Sequence, residues 1–397
     1  LFVTYMKRLG IHPPRLMPIQ MIYNIFKLNR NLNKTTTRNS PLLTLFPDNG
    51  INALYFTDKK LFGYYLITIS GKYPINEKDT NSLHLLGGAA VTALHVFNLK
   101  KITKKILKKC KRIIQNNKKN RDICIYEFIV GCYCETQLKS QTDAFKTMQS
   151  AYMNGIKMGA ILNSGFAIAT EVINRILLGY PKSTANEVIS NYESKYKLFN
   201  EISVQSTFDV AKKILDKNNL SKPLKNTKKL TLKLPLHFYL TSKALIDVTN
   251  KKYTCAKKAV FVSKKYNVEA LGMIQTHIIY FIELLTQYNL LQNKSLSKSK
   301  WNIYIYKTCI RFYFWKSIYP ISTYLFFYIA AIGLKNSSKK KGVMYLTMAL
   351  RLAKSKNYII YAHVISEILS ELELTKKRQK QIFYKNLSKT MRLKWSS

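Results

Sequence analysis

Six cysteines (Cys110, Cys124, Cys132, Cys134, Cys255, Cys309) and six histidines (His12, His84, His95, His237, His277, His363) are the residues that could ligate a metal or serve as nucleophile and base. Cys132 and Cys134 form a C-x-C. Two thiolates hold zinc only with two further ligands, and no second pair stands at zinc-finger spacing. On a helix the two side chains point about 200° apart. They read as small buried helix residues of a reducing compartment. His84 and His95 share a helical segment and a similar face, but eleven positions put them three turns apart, too far to share an ion. No H-E-x-x-H, P-loop, G-x-S-x-G or dinucleotide glycine pattern occurs. The 20 Asp and Glu do not cluster, so a two-carboxylate or metal-dependent nuclease site has no residues to build it. The expectation is a protein that is not an enzyme, with no metal, no cofactor and no small-molecule substrate.

Charge points elsewhere. Against those 20 acids stand 65 Lys and Arg, a net charge of +45. An AT-rich codon bias raises Lys, Asn, Ile and Tyr together, but it raises Glu as well, and Glu is scarce. A chain with this self-repulsion needs a polyanion, nucleic acid first and an anionic membrane surface second. The surplus is densest between Asn98 and Arg121, where no acid occurs. Lys100, Lys104 and Lys108 recur at i, i+4, i+8, and Lys101, Lys105 and Lys109 form a parallel row. Arg112, Lys118, Lys119 and Arg121 extend them. Ile102, Ile106, Leu107, Cys110, Ile113 and Ile114 make the apolar stripe of the same helix. Like charges at i, i+4 destabilise a helix by roughly 0.2–0.5 kcal/mol per pair. A merely solvated face mixes signs, so this one reads as a phosphate-binding face. The 27 Tyr, 19 Phe and 3 Trp are mostly at core spacing, Tyr126 and Tyr324 included; exposed ones beside lysines could stack on unpaired bases.

The elements that position these residues are helices. Gly (14) and Pro (10) are sparse, which suits long helices joined by polar loops. In 123–159 one apolar-periodic segment carries Ile125, Phe128, Ile129, Cys132 and Tyr133. A polar break follows at Thr136–Thr142. A second segment, Asp143–Asn154, carries Ala144, Phe145, Met148, Ala151 and Tyr152, with Gly155 at the expected C-cap. This hairpin recurs loosely. Tyr126–Ile156 aligns with Phe238–Val268 and Tyr324–Lys354, with Ala144, Ala256 and Gly342 at the small position opening the second helix. Further pairs are expected at Ser82–Phe97 with Leu99–Gln115, Leu162–Leu178 with Thr184–Leu198, and Met273–Leu291 with Trp301–Trp315. A helix at about Pro18–Leu28, one or two over Ile51–Ile69, and Val204–Asp216, Tyr358–Leu372 and Thr375–Trp395 complete the helices. Lysine-rich 218–236 reads as a loop or insertion between 1–217 and 237–397. Ile318–Leu334 has 17 uncharged residues, short for a bilayer span of about 20, and reads as a buried helix. Leu1 already lies in a helical pattern, so the chain is expected to be truncated and to lack any targeting segment.

On Tyr126, Ala144, Phe145, Gly155, Ile156 and Lys157, with Met158 replacing a proline, the segment resembles a pentatricopeptide repeat. Ala151 holds the place of the usual Met. Leu1, Phe2, Met6, Lys7, Gly10, Ile11 and Pro13 resemble the tail of another, with one extra residue before Met6. The resemblance covers about half the chain and looks more like fungal or protist mitochondrial members. It implies an all-α, right-handed superhelical solenoid of about seven or eight hairpins, PPR/TPR-like, each about 35–45 residues. It implies a mitochondrial matrix protein that binds single-stranded RNA on its first-helix surface, in transcript stability, processing or translation. The family's base-reading side chains are small polar residues or Asp. The residues in those places here are Glu127, Tyr239, Leu325 and Gly159. Glu127 and Tyr239 are thus the candidate base contacts, without a base-by-base code. The alternatives are a structural or assembly protein of a mitochondrial ribosome, binding rRNA, and a protein–protein scaffold of tetratricopeptide kind, whose groove would be of mixed charge.

Overall fold

The computed structural model describes residues 17–34, 59–72, 75–118, 120–196, 202–216, 233–319, 321–373 and 378–396. The N-terminal repeat-like tail, His12, Lys119 and segment 218–232 lie outside them. Every regular element among the described residues is helical, and no strand occurs. The chain forms two compact units, Leu1–Glu135 with Ala144–Ala167, and Thr136–Asp143 with Ile168–Ser397.

In the first unit, helices α1 (Met17–Asn31), α2 (Lys59–Lys72) and α3 (Ser82–His95) pack in succession, and α3 also takes α4 (Lys100–Gln115) and α5 (Arg121–Val130) against it. α3 is buried nearly all round. Gly87 and Gly88 let neighbours approach: a Cβ at Gly87 would sit 3.4 Å from Ile129 and Tyr126, and one at Gly88 would collide with Leu66. Asn120 caps α5, its Oδ1 accepting the Ile123 N–H at 3.1 Å. The expected break after α5 is not a loop. α5 passes through a π-helical turn, Gly131–Glu135, into a short helix Thr136–Leu138. Helix α6 (Gln141–Lys157) buries Ala144, Phe145, Met148, Ala151 and Tyr152, the face read from its spacing. Gly155 lies inside this helix, because the left-handed residue that ends it is Gly159 (φ 74°).

The second unit begins with Thr136–Asp143 and the later part of α7 (Ile161–Leu177), then α8 (Lys182–Tyr196) and α9 (Ile202–Leu215). Four hairpins follow: α10 (Lys233–Thr249) with α11 (Tyr253–Lys265), α12 (Gln275–Gln292) with α13 (Lys298–Ile318), α14 (Ser322–Lys335) with α15 (Lys340–Ser355), and α16 (Ile359–Glu373) with α17 (Arg378–Ser396). Their first helices start at intervals of roughly forty residues, within the range of helical repeats. Phe281 of α12 meets Phe312, Phe326, Phe327 and Tyr361, so one aromatic core joins α12, α13, α14 and α16. Helix ends reuse one device. Lys251, Lys294 and Asn357 take positive φ (61°, 56°, 61°), and the next N–H bonds back five residues: Lys252 to Asp247 O, Ser295 to Leu290 O and Tyr358 to Ala353 O, each at 2.8 Å.

Packing between sequence neighbours is what stacked repeats require. Within the second unit other contacts run far across the sequence. The Tyr361 hydroxyl donates to Leu177 O at 2.6 Å, and the Ile360 N–H to Gly179 O at 3.2 Å. The Gln137 amide donates to Gly272 O at 2.5 Å, and that of Gln275 to Asn174 Oδ1 at 2.5 Å. The Lys182 ammonium lies 4.4 Å from the Trp395 ring centroid. These contacts place the start of the unit against α12, α16 and α17.

Candidate nucleic-acid interface

α4 is a strongly two-sided helix. Ile102, Ile106, Cys110 and Ile113 are buried, and burial pushes the Cys110 thiol up to about 12. Lys101, Lys104, Lys105, Lys108, Lys111 and Arg112 are exposed. Their spacing of three and four places them on one continuous face. Lys118 and Arg121 are exposed just beyond its end. Lys100 is half-buried, and its ammonium is held below the ordinary lysine range by burial and by Lys104.

Lys109 departs from its expected role. It is 3% exposed, and its ammonium donates to Glu77 Oε1 at 2.6 Å. Its position beside Cys110 brings it under the edge of the apolar stripe, and an acid 32 residues earlier neutralises it. Lys111 takes its place on the exposed face. Its position seven residues after Lys104 was the available signal.

The base-contact candidates also move. Tyr239 is 4% exposed, and burial raises its phenol above the ordinary range, so it is a packing residue. Glu127 is half-buried and accepts the Ser150 hydroxyl at 3.1 Å. Tyr126 and Tyr324 are buried, as their spacing requires. The Tyr324 hydroxyl bonds His277 Nδ1 at 2.7 Å and donates to Gln137 Oε1 at 3.3 Å. Leu325, at the same place in α14, is 39% exposed, so of these two positions in the second unit it is Tyr239 that the chain's own packing closes off.

In several pairs the cations lie mainly on the second helix, whereas α8 balances two lysines with two glutamates. α3, α12 and α16 carry no lysine or arginine. Their partners α4, α13 and α17 carry many, as do α11 and α15, and most of these are exposed. In α3–α4, α12–α13 and α16–α17 the charge is sorted into an apolar first helix and a cationic second helix.

No family model, curated protein or solved structure matches the chain.

The residues with metal-ligand chemistry stay dispersed. Among the described residues no three of His, Cys, Asp and Glu converge on a point. Cys132 and Cys134 are both buried. His84 Nε2 lies 3.5 Å from Asp122 Oδ1, and His95 Nε2 lies 2.6 Å from Tyr133 O. His237 Nδ1 sits 2.9 Å from the Ser263 hydroxyl, which meets Thr241 at 2.8 Å. His363 Nδ1 repeats the arrangement with Ser388 at 2.8 Å, so α10–α11 and α16–α17 share one buried His–Ser contact. No described helix is long and apolar enough to cross a membrane; Ile318–Leu334 is not one helix, since Ile318 ends α13 and α14 begins at Ser322, with Tyr324, Phe326 and Phe327 in the core.

Proposed function

We propose that the chain binds single-stranded RNA through phosphate contacts from the exposed faces of its second helices, α4 foremost. The observation that carries this is the sorting of charge: six cations on one face of α4, with no acid on that helix. Like charges on one helix oppose folding unless an external anion neutralises them. A nucleic-acid backbone supplies anions in a row. The resemblance of Tyr126–Met158 to a pentatricopeptide repeat supports RNA over DNA and a mitochondrial setting in transcript stability, processing or translation. It also supports a superhelical arrangement of the hairpins. The proposed surface differs from that family's first-helix face.

The test replaces Lys101, Lys104 and Lys108 together by Gln and titrates RNA over a range of salt. Three lost phosphate contacts should reduce the slope of log affinity against log salt by about 2 and weaken binding about tenfold or more at moderate salt. Single-stranded RNA should bind more tightly than duplex RNA of equal length. Unchanged slope and affinity in a triple variant with native helicity overturns the assignment to α4. Absence of RNA binding by the parent chain overturns the function.

A further inference from the structure

α13 presents a second kind of surface. Trp301, Ile305, Thr308, Cys309 and Phe312 face inward. On the outside lie Ile303, Tyr306, Ile310, Tyr313 and Phe314; Tyr306 is 59% exposed, Tyr313 51% and Phe314 56%. Ile303, Tyr306, Ile310 and Tyr313 follow one another at steps of three and four, so they form one stripe. Scattered exposed apolar residues are ordinary, but a contiguous apolar stripe marks a binding surface.

Its chemistry narrows the occupant. Lys335 Nζ stands 5.5 Å from the Tyr306 ring centroid. Lys316 Nζ stands 5.2 Å from Tyr313 and 4.8 Å from Tyr328, whose ring lies 5.8 Å from that of Tyr313. Lys307 is exposed between the two tyrosines. Neither α13 nor α14 contains an Asp or Glu. Flat aromatic faces alternating with cations, and no acid among them, complement a strand of bases joined by phosphates. Tyr306 and Tyr313 are two turns apart, about 10 Å along the axis, the length of about three stacked nucleotides.

We infer that the outer face of α13, with Lys316, Lys335 and Tyr328 beside it, is a stacking platform for unpaired bases of a single-stranded nucleic acid. This deepens the RNA-binding reading and rests on it. Stacking is indifferent to base identity, so the platform discriminates single strands from duplexes rather than one sequence from another.

The experiment compares a single-stranded RNA with an abasic strand of the same length, which keeps the phosphates and lacks the bases. Both are titrated against the parent chain, Tyr306→Ala/Tyr313→Ala and Tyr306→Phe/Tyr313→Phe. The parent should prefer the base-bearing strand by about tenfold or more. The double Ala variant should lose that preference with an unchanged salt slope, and the double Phe variant should retain it. Both rings are solvent-facing, so the Ala variant is expected to keep its helicity, which circular dichroism checks. Equal binding of both strands by the parent overturns the platform while leaving the phosphate contacts standing. Binding of neither strand removes the RNA reading and the platform with it. Quenching of tyrosine fluorescence by anionic lipid vesicles but not by RNA overturns the inference in favour of a membrane surface.

Discussion

Lys108 and Lys109 are neighbours in sequence with opposite fates, one in solvent and one against Glu77. Removing a buried partner leaves the other charge unsatisfied, and Glu77 retains partial solvent access. Lys109→Ala should therefore lower stability by about 2 kcal/mol, while Lys108→Ala should stay within about 0.5 kcal/mol. Urea unfolding at neutral pH compares the two, and equal midpoints would remove the structural role given to Lys109. Two histidines, His237 fully buried and His95 half-buried, set a pH dependence. Burial holds His95 and His237 near 4, below the ordinary 6.5, despite hydrogen bonds that favour the charged form. Both are neutral in the fold, and their full contribution is present above pH 6.5. As pH falls from 6.5 towards 4, the unfolded chain takes up protons that the folded chain does not. Stability is lost across that window, on the order of 3 kcal/mol per histidine. The drop in urea midpoint between pH 7 and pH 4.5 should be smaller in His237→Asn than in the parent. The spacing of lysines was enough to read a basic face. It could not show which lysine meets an acid arriving from another element, because Glu77 is remote in sequence.

Helix boundaries were largely legible, since Gly, Asn and lysine runs punctuate strong apolar periodicity. Ser82, Gln115, Asp216 and Leu372 were all placed within about two residues of a helix end, ordinary scatter for such assignments. The π turn and the short helix Thr136–Leu138 were not legible. Thr136 and Gln137 read as a polar break, yet both are fully buried; the Gln137 amide donates to Gly272 O, and the Thr136 carbonyl accepts from the Gln141 amide. Hydropathy cannot distinguish a polar side chain in solvent from one paired in a core. The small position that opens each second helix was legible and has a steric cause. At Gly342 a Cβ would collide with the Asn336 carbonyl, a backbone group that cannot yield without moving the α14–α15 turn. Gly342→Ala should cost about 2–3 kcal/mol. Gly87→Ala, which meets Ile129 and Tyr126 at ordinary contact distance, should change stability by less than about 1 kcal/mol. Thermal melts of the two variants test the contrast.

At the scale of the whole molecule, the +45 charge was plain in the composition, and its sorting by helix was visible at α4 alone. What stayed hidden was the closure of the second unit on itself, because contacts such as Leu177 with Tyr361 leave no local pattern. That closure predicts cooperative unfolding. All three tryptophans, Trp301, Trp315 and Trp395, belong to the second unit, so indole fluorescence reports on it alone. Trp395→Ala removes the ring that Lys182 covers, and should cost about 3 kcal/mol. The transition read at Trp301 and Trp315 should shift as one step, whereas an open array would fray at α17 and leave those two unmoved.

The bond from Tyr361 to Leu177 joins residues 184 positions apart. At a synthesis rate of 5–20 residues per second, a ribosome needs roughly 10–40 s to deliver the second after the first. Through that interval the greasy inner helices of a nascent chain have no partner to close against. A polypeptide built this way completes its core only once the last hairpin has left the ribosome.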